Sequence, residues 1–213
     1  MYPINKHSCV PFNIESVGLP SVTDNIFITW EILKMRVIAI GGNPGSGKST
    51  LMKRLIEHYS PEKKYNEFKL VPYLQSNNIF ILGKYDDGEV FSGTDKMSMA
   101  VQPEAIKFLA TLPEDAVVIY EGDRLFTSTF LEDCTEKYDL KIIHLMTDAD
   151  VRQERYKERG SEQNETWLRG RESKINNILN NMLLMFYVEP FNNNNIEDQD
   201  VIYNHIIDEV GNG

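Results

Sequence analysis

The run from Gly42 to Thr50 contains the spacing Gly-x-x-x-x-Gly-Lys-Ser, which suits the binding of a triphosphate. Glycines let the loop curl so that backbone amides point inward toward negative charge, and the helix that follows adds the positive end of its dipole. Lys48 would add a positive charge near the β- and γ-phosphates, and Ser49 would hold Mg²⁺ through its hydroxyl. The spacing therefore predicts a phosphate-binding loop, or P-loop, for ATP and Mg²⁺, in which Lys48 also acts in catalysis. Its nucleotide-binding residues are Gly42, Asn43, Pro44, Gly45, Ser46, Gly47, Lys48, Ser49 and Thr50.

The segments on both sides of this run have the character that a P-loop needs. Val37–Ile40 is an apolar run typical of a strand buried on both faces of a parallel sheet. After the loop, Leu51, Leu55, Ile56 and Tyr59 fall on one face of a predicted helix. A glycine-rich turn between two core elements would explain the glycines, but it gives no reason for Lys-Ser at the start of the helix. We therefore expect a nucleotide site.

Two acids follow the next clear core strand, Ala116–Tyr120. Glu121 and Asp123 should emerge at the carboxyl end of the sheet, beside the P-loop, where ligands bind in such folds. A carboxylate there can hold Mg²⁺ or accept a proton from an attacking hydroxyl. The predicted metal site therefore consists of Ser49, Glu121 and Asp123, and Asp123 is also a candidate catalytic residue. The alternative is a helix start that merely carries acids.

A third acid, Asp95, lies in the predicted loop Gly93–Ser98. We consider it a candidate general base, because small kinases often recognise the phosphoryl acceptor in a loop between core strands. The alternative is an Asp whose side chain only stabilises a turn. Sequence alone leaves open whether Asp95 or Asp123 removes the proton.

The segment 148–175 is predicted to be a helical lid rich in arginine. Arg152, Arg155 and Arg159 share one helical face, and arginines that close over a phosphoryl group stabilise its charge and exclude water. We assign catalytic or phosphate-binding roles to Arg155, Arg159 and Arg171. Acids and bases are equally numerous in residues 148–174, so a solvated helix with salt bridges is the alternative, above all for Arg152. Further lid residues are Gln163, Trp167, which we expect to pack in the core rather than stack on a base, Arg169 and Lys174.

Composition predicts one α/β domain. The chain has 213 residues, 41% of them hydrophobic, and its two cysteines, Cys9 and Cys134, offer neither a metal spacing nor a disulfide framework. We expect a cytoplasmic protein without membrane span or signal peptide. The net charge of −10 argues against broad adhesion to duplex DNA but allows a local basic groove.

Alternating strands and helices predict a parallel sheet with right-handed crossovers, flanked by helices. The fold class expected is therefore an α/β P-loop NTPase similar to nucleoside monophosphate kinases, with a β-hairpin insert and the arginine-rich lid. The remaining predicted elements are strands at 68–73, 141–145 and 185–188, a hairpin of 78–85 and 86–91 with an Asp-Gly turn, and helices at 103–111, 148–158 and 196–210.

Residues 1–34 differ from the rest, since prolines punctuate them and only Asn25–Trp30 is typical of a strand. We treat them as an N-terminal extension and residues 35–213 as the P-loop domain. Trp30-Glu31 must be encoded UGGGAR, which resembles a bacterial ribosome-binding site shortly before Met35. One hypothesis is therefore that translation starts at Met35, which an N-terminal mass would test. The other is an ordinary extension whose strand pads a sheet edge.

The order of P-loop, acid-bearing core strand and Arg-x-x-x-Arg lid is similar to that of nucleoside, nucleotide and polynucleotide kinases. The Asn-Lys-x-Asp motif of GTPases is missing. Three blocks, Gly93–Lys96, Glu121–Arg124 and Arg159–Arg171, resemble those of bacteriophage P-loop kinases that act on 5-hydroxymethyluridine in DNA. That resemblance covers about residues 35–210. It implies transfer of the γ-phosphate of ATP to the 5-hydroxymethyl oxygen of a modified pyrimidine in DNA, in the cytoplasm of a host cell.

Two other functions remain open at this point. The chain could phosphorylate a free nucleoside, nucleotide or other small hydroxyl compound and ignore polymers. It could also bind nucleotide as a regulatory protein without phosphorylating any acceptor. The sequence signature of that last class would be a missing base or lid, and neither is missing here.

Overall fold

The computed structural model describes residues 34–64, 68–85, 93–160 and 164–211. The chain divides into two units, Met1–Ile32 and Leu33–Gly213, and all described elements belong to the second. The described strands are β1 Arg36–Gly42, β2 Glu62–Lys64, β3 Tyr73–Ser76, β4 Ile79–Leu82, β5 Val117–Glu121, β6 Asp139–Met146 and β7 Val188–Asn192. The described helices are α1 Lys48–Tyr59, α2 Val101–Leu109, α3 Ser128–Lys137, α4 Ala149–Glu158, α5 Glu165–Leu179 and α6 Ile196–Gly211, with 3₁₀ turns at Thr94–Lys96 and Met185–Tyr187.

The strands form one sheet in the order β2-β3-β4-β5-β1-β6-β7. The five strands β4, β5, β1, β6 and β7 are parallel, whereas β3, between β2 and β4 near one edge, is antiparallel to both of its neighbours. Strand β1 lies between β5 and β6, with Ile40 opposite Glu121 on one side and Ile143 on the other. The loop after β1 and the acids after β5 therefore emerge side by side, and the predicted α/β class is confirmed.

Helices cover both faces of the sheet. Along β1, Val37 and Ala39 join the core shared with α2, α3 and α5, while Ile38 and Ile40 join the core shared with α1 and α6. All four side chains are completely buried. Apolar residues at all four of these successive positions are what a strand covered on both faces requires. The site residues thus rest on a rigid central strand.

The predicted strand 68–73 is wrong except for its last residue. The amide of Val71 donates to the carbonyl of Phe68 at 2.8 Å and closes a turn, and β3 begins only at Tyr73. Pro72 lies between them, and proline has no amide for a ladder bond. The apolar run indicated a strand, but the backbone hydrogen bond from Val71 to Phe68 closes a local turn and does not reach another strand.

The described residues contain a hairpin of β3 and β4, whereas the predicted hairpin of 78–85 and 86–91 is described only in its first arm. Strand β4 lies inside the predicted arm 78–85 and pairs with β3, which precedes it, through a turn in which Asn77 has φ 52°. The other predicted arm, 86–91, and its Asp-Gly turn lie outside the described residues. An isolated antiparallel bridge joins Lys84 to Gly93 across that gap.

The predicted strand 185–188 is wrong except for Val188. Met185–Tyr187 forms a 3₁₀ turn, and β7 then runs to Asn192, paired with β6 from Ile142 onward. The apolar composition of 185–188 indicated a buried strand, but Phe186 is 84% exposed. The helices predicted at 103–111, 148–158 and 196–210 are confirmed within two residues at each end. None of the described helices is long and apolar enough to span a membrane.

Candidate active site

The P-loop joins β1 to α1 in a tight curve that depends on glycine. Gly47 caps α1 with φ 89°, and a Cβ at this position would lie 2.5 Å from Nδ2 of Asn193. The ammonium of Lys48 donates to the carbonyls of Gly42 at 2.8 Å and Asn43 at 3.1 Å. Burial lowers the pKa of Lys48, and the nearby carboxylates of Glu121 and Asp95 oppose that shift. The loop thus holds a half-buried cation at its centre.

Four side chains from outside the P-loop bind its outer carbonyls, one of them the hydroxyl of Thr147, which donates to Ser46 at 3.5 Å. The hydroxyl of Tyr156 donates to Pro44 at 2.6 Å, and the guanidinium of Arg155 donates to Gly45 at 3.1 Å. The amide of Asn193 donates to Ser46 at 2.6 Å. The loop is therefore fastened to α4 and to the segment after β7.

Glu121 ends β5 beneath the P-loop and is 2% exposed. The hydroxyl of Ser49 donates to its Oε1 at 3.5 Å. Burial raises the pKa of Glu121 to about 7, although Lys48 draws it down, because a carboxylate loses water there. The pair offers hydroxyl and carboxylate oxygens, which are the ligands that Mg²⁺ prefers.

A metal at this place would depend on the nucleotide as well. Among the described residues, no three His, Cys, Asp or Glu side chains cluster as a metal site. Mg²⁺ commonly takes one or two carboxylates together with substrate phosphates and water. Ser49 and Glu121 fit that mode.

Asp95 is placed by the 3₁₀ turn that follows Gly93. With φ 73°, Gly93 passes so close to β5 that a Cβ would lie 2.6 Å from Oε1 of Glu121. Oδ1 of Asp95 accepts a hydrogen bond of 2.7 Å from the backbone amide of Asp123. The loop acid Asp95 and the acids after β5 thus lie close together.

Asp123 differs from Asp95 in its partners. Its carboxylate forms an ion pair with Arg171, and its backbone carbonyl accepts a hydrogen bond of 2.6 Å from Lys174. Burial, reinforced by the charge of Arg171, lowers the pKa of Lys174 to about 8. Within the described parts of the chain, Asp95 has no ion pair of this kind. Asp95 lies instead within electrostatic range of the ammonium groups of Lys48 and Lys174.

These residues line one cavity of about 340 Å³. We call the side formed by Gly42, Pro44, Gly45, Lys48 and Ser49 the loop wall, and the side formed by Asp95, Asp123 and Arg171 the acid wall. Glu121 and Arg159 also line the cavity. Of the predicted catalytic residues Lys48, Asp95, Asp123, Arg155, Arg159 and Arg171, the structure gathers all but Arg155 around it.

The helices α4 and α5 form the predicted lid region. Trp167 lines the cavity, half-buried, and the guanidinium of Arg171 stacks 5.0 Å from its ring centre, so our expectation that Trp167 packs in the core is wrong. Arg152 donates to the carbonyl of Thr147 at 3.2 Å and does not line this cavity. Arg169 forms an exposed salt bridge within α5. Gln163 lies outside the described residues.

Sequence reasoning missed three residues of the site. Arg124 lines the cavity and was visible in the Glu-Gly-Asp-Arg block, while Tyr156 follows Arg155 directly on the predicted lid helix. No sequence pattern pointed to Asn193, because it reaches the P-loop only through the position of β7 beside β6.

Comparisons with known proteins give a family and two weak structural likenesses. An uncharacterized protein from Eubacterium ventriosum ATCC 27560 has 19% sequence identity and a TM-score of 0.43, with 84% of this chain and 100% of that chain covered. A gluconokinase from Sinorhizobium meliloti 1021 has 10% identity and a TM-score of 0.43, with 84% of this chain and 97% of that chain covered. No curated protein sequence matches the chain.

The model of the family described as P-loop Nucleotide Kinase3 matches residues 33–189, which include the P-loop, both walls of the cavity and the lid helices. A nucleotide-binding P-loop of kinase type is also what the geometry above requires. The chain belongs to the P-loop Nucleotide Kinase3 family.

Proposed function

We propose that this kinase transfers the γ-phosphate of ATP to the 5-hydroxymethyl group of a modified pyrimidine in DNA. The observation that carries the proposal is the position of Asp95, an acid without an ion-pair partner among the described residues, in the same cavity as the P-loop lysine. Phosphoryl transfer needs a nucleotide held on one side and a base for the acceptor hydroxyl on the other. The two walls of this cavity supply both.

The loop wall would hold ATP. Lys48 and the loop amides would bind the β- and γ-phosphates, and Arg159 would approach the transferred group from the lid. Ser49 and Glu121 would hold Mg²⁺, which offsets phosphate charge when it is bound. Since Arg171 already occupies the Asp123 carboxylate, Asp123 fits a metal role less well than Glu121 does.

Asp95 would act as the general base. The acceptor oxygen attacks the γ-phosphorus, a new P–O bond forms, and the bond to the oxygen that bridges to the β-phosphate breaks, so that ADP leaves. The hydroxyl proton passes to the Asp95 carboxylate. Asp123 is less suited to this step because a carboxylate that is paired with arginine is a weaker base.

A phosphate-bearing acceptor suits the charges near the acid wall. Arg124 lines the cavity, and its Nε donates to the carbonyl of Met97 at 3.3 Å, which fixes the guanidinium in place. Arg171 lies opposite on α5, and a chain of net charge −10 has few reasons to collect arginines unless they bind an anion. The C5 substituent of a pyrimidine faces the major groove, so its hydroxyl can be reached in DNA. The resemblance to phage kinases supports the same acceptor and a place in the host cytoplasm.

A kinase of a free nucleoside, nucleotide or other small hydroxyl compound is the second candidate. The observation in its favour is the cavity volume of about 340 Å³, which lies in the usual range for pockets that enclose small molecules. In that case the acceptor would enter the cavity whole rather than present one group from a polymer.

A parallel assay separates these candidates. Radiolabelled γ-phosphate ATP is offered with hydroxymethylated DNA, unmodified DNA, free 5-hydroxymethyldeoxyuridine and its 5′-monophosphate. The proposal expects label on hydroxymethylated DNA alone, whereas label only on the free compounds would overturn it.

The same assay tests the base. Asp95→Asn should lower kcat by about a hundredfold or more, since general bases contribute roughly 10²–10⁴, and leave ATP affinity unchanged. Asp115→Asn is the matched control, because Asp115 is exposed in the turn before β5. Wild-type kcat in Asp95→Asn would exclude Asp95 as the base.

A further inference from the structure

Three consecutive peptide units of the P-loop each have their carbonyl held by a side chain from outside the loop. The carbonyls of Pro44, Gly45 and Ser46 accept hydrogen bonds at 2.6, 3.1 and 2.6 Å, from Tyr156, Arg155 and Asn193 respectively. Two donors come from α4 and one from the segment after β7. A loop of this kind needs only its amides for phosphate, so the occupation of three successive carbonyls calls for a reason.

Peptide geometry connects these carbonyls with the amides. In a planar trans peptide the C=O group and the following N–H group point in opposite directions. The bond to Pro44 therefore turns the Gly45 amide away from Tyr156, and the bond to Ser46 turns the Gly47 amide away from Asn193. The peptide unit between these two, from Gly45 to Ser46, directs the Ser46 amide to the carbonyl of Asn43 at 3.1 Å, which closes the turn. The hydrogen bonds to the carbonyls thus set the direction of two loop amides, those of Gly45 and Gly47.

The three donors form one connected group. Arg155 also donates to the carbonyls of Asn193 at 3.0 Å and Asn194 at 3.1 Å, so α4 and the segment after β7 are tied together. Asn193 is completely buried and cannot swing away from Ser46. Partial burial lowers the pKa of the Arg155 guanidinium, which donates its hydrogen bonds to backbone oxygens. We call Tyr156, Arg155 and Asn193 the P-loop brace.

We propose that the P-loop brace sets the direction of the loop amides before nucleotide arrives, so that Tyr156, Arg155 and Asn193 are positioning residues for polyphosphate. This differs from the expectation that Arg155 contacts the transferred phosphoryl group. The inference rests on nucleotide binding by the P-loop and is independent of the acceptor. A failure to phosphorylate DNA would therefore leave it standing.

Tyr156→Phe is the mildest test, because it removes one hydroxyl and keeps the ring that packs near Gly45. The affinity of the full chain is measured for MgATP and for inorganic tripolyphosphate, which has no base or sugar. We expect both to bind about two- to tenfold more weakly, as the loss of one hydrogen bond predicts. Tyr203→Phe is the matched control, since its hydroxyl bonds to His58 at 2.8 Å on α1, away from the cavity.

Each other outcome overturns the inference. Unchanged affinity for both ligands would mean that the hydroxyl does not aim the amides. A loss for MgATP without a loss for tripolyphosphate would assign Tyr156 to the base or sugar. A fall in melting temperature beyond that of Tyr203→Phe, large enough to account for the weaker binding, would make the role one of general stability.

A second variant extends the test to the buried member of the brace. Asn193→Asp has nearly the same shape but puts a carboxylate oxygen where the donor to Ser46 was. If the variant folds, both ligands should bind more weakly than in Tyr156→Phe, and equal or better binding would contradict the inference. In a kinase assay, KM for ATP should rise while KM for the acceptor stays constant in Tyr156→Phe, and the reverse pattern would also contradict it.

Discussion

The two walls of the cavity are held in different ways. The loop wall is fixed by backbone geometry and by side chains that bind its carbonyls, on the central strand β1 and the helix α1. The acid wall combines the hydrogen bond from the Asp123 amide to Asp95 with an ion pair between Asp123 and Arg171, and this ion pair joins the end of β5 to α5. A wall built on backbone contacts is formed before ligand arrives, whereas a wall closed by an ion pair can open when a ligand offers Arg171 another partner. The first suits a ligand common to a family, and the second suits an acceptor that differs from enzyme to enzyme.

The largest expected effect comes from breaking the loop wall. Lys48→Ala removes the half-buried cation that faces the phosphates, and removal of one such electrostatic contact costs about a hundredfold or more in kcat. Phosphate transfer to any acceptor is the measurement. Lys53→Ala, on the exposed face of α1, is the control and should keep full activity. Full activity in Lys48→Ala would contradict the mechanism.

A second effect, on the free energy of unfolding rather than on rate, appears at Glu121, between the two walls, in protein free of nucleotide and metal. Its pKa of about 7 in the folded protein lies above the ordinary value of 4.5, so the stability linked to its proton is complete below pH 4.5 and is lost as pH rises through 7. The Gln side chain of Glu121→Gln carries no charge at any pH. The free energy of unfolding of this variant should therefore rise relative to that of the wild type as pH increases, by about 3 kcal/mol above pH 8.

Denaturant unfolding at pH 5 and pH 8 in EDTA measures this difference. Glu114→Gln, in an exposed turn, should show none of it. A constant gap between Glu121→Gln and wild type across that range would show that burial does not govern the carboxylate. With Mg²⁺ and ATP present, the order should reverse if Glu121 holds the metal.

The smallest effect tests how the acid wall is joined. Arg171→Ala and Asp123→Asn, alone and combined, should show a coupling of about 1–2 kcal/mol in the binding of acceptor, as contacting charged residues do. Affinity for ATP should stay constant in all three variants, because the loop wall does not depend on this pair. Additive effects on the acceptor, or parallel losses in ATP binding, would mean that the two walls are not separate.

The sequence predicted those features of the fold and the site that depend on residues close together in the chain. The P-loop could be recognised because its spacing is local, and the acids after β5 could be placed because parallel strands end at one edge. The strands at 68–73 and 185–188 were misjudged because apolar runs do not show whether the backbone bonds close a turn or reach another strand. Whether Asp95 or Asp123 keeps a free carboxylate depends on which acid meets Arg171, and that is a tertiary fact.

The P-loop brace lay beyond sequence for the same reason. Asn193 follows β7, and only the strand order places that segment against a loop far earlier in the chain. Arg155 was recognised as important, but its type does not tell whether it binds phosphate or carbonyl oxygens. Arginine suits both, since its guanidinium offers five donors.

The arginines and lysine that line the cavity have a consequence for how a ligand arrives. At a distance the chain presents its net charge of −10, while Lys48, Arg124, Arg159 and Arg171 act only at close range. A polyanion is therefore repelled during diffusion and attracted on contact. Ions at about 0.1 M screen charges beyond roughly 10 Å, so moderate salt weakens the distant repulsion before it weakens the contact. Encounter with such a ligand should quicken as salt is first added, the opposite of what a basic nucleic-acid binder shows.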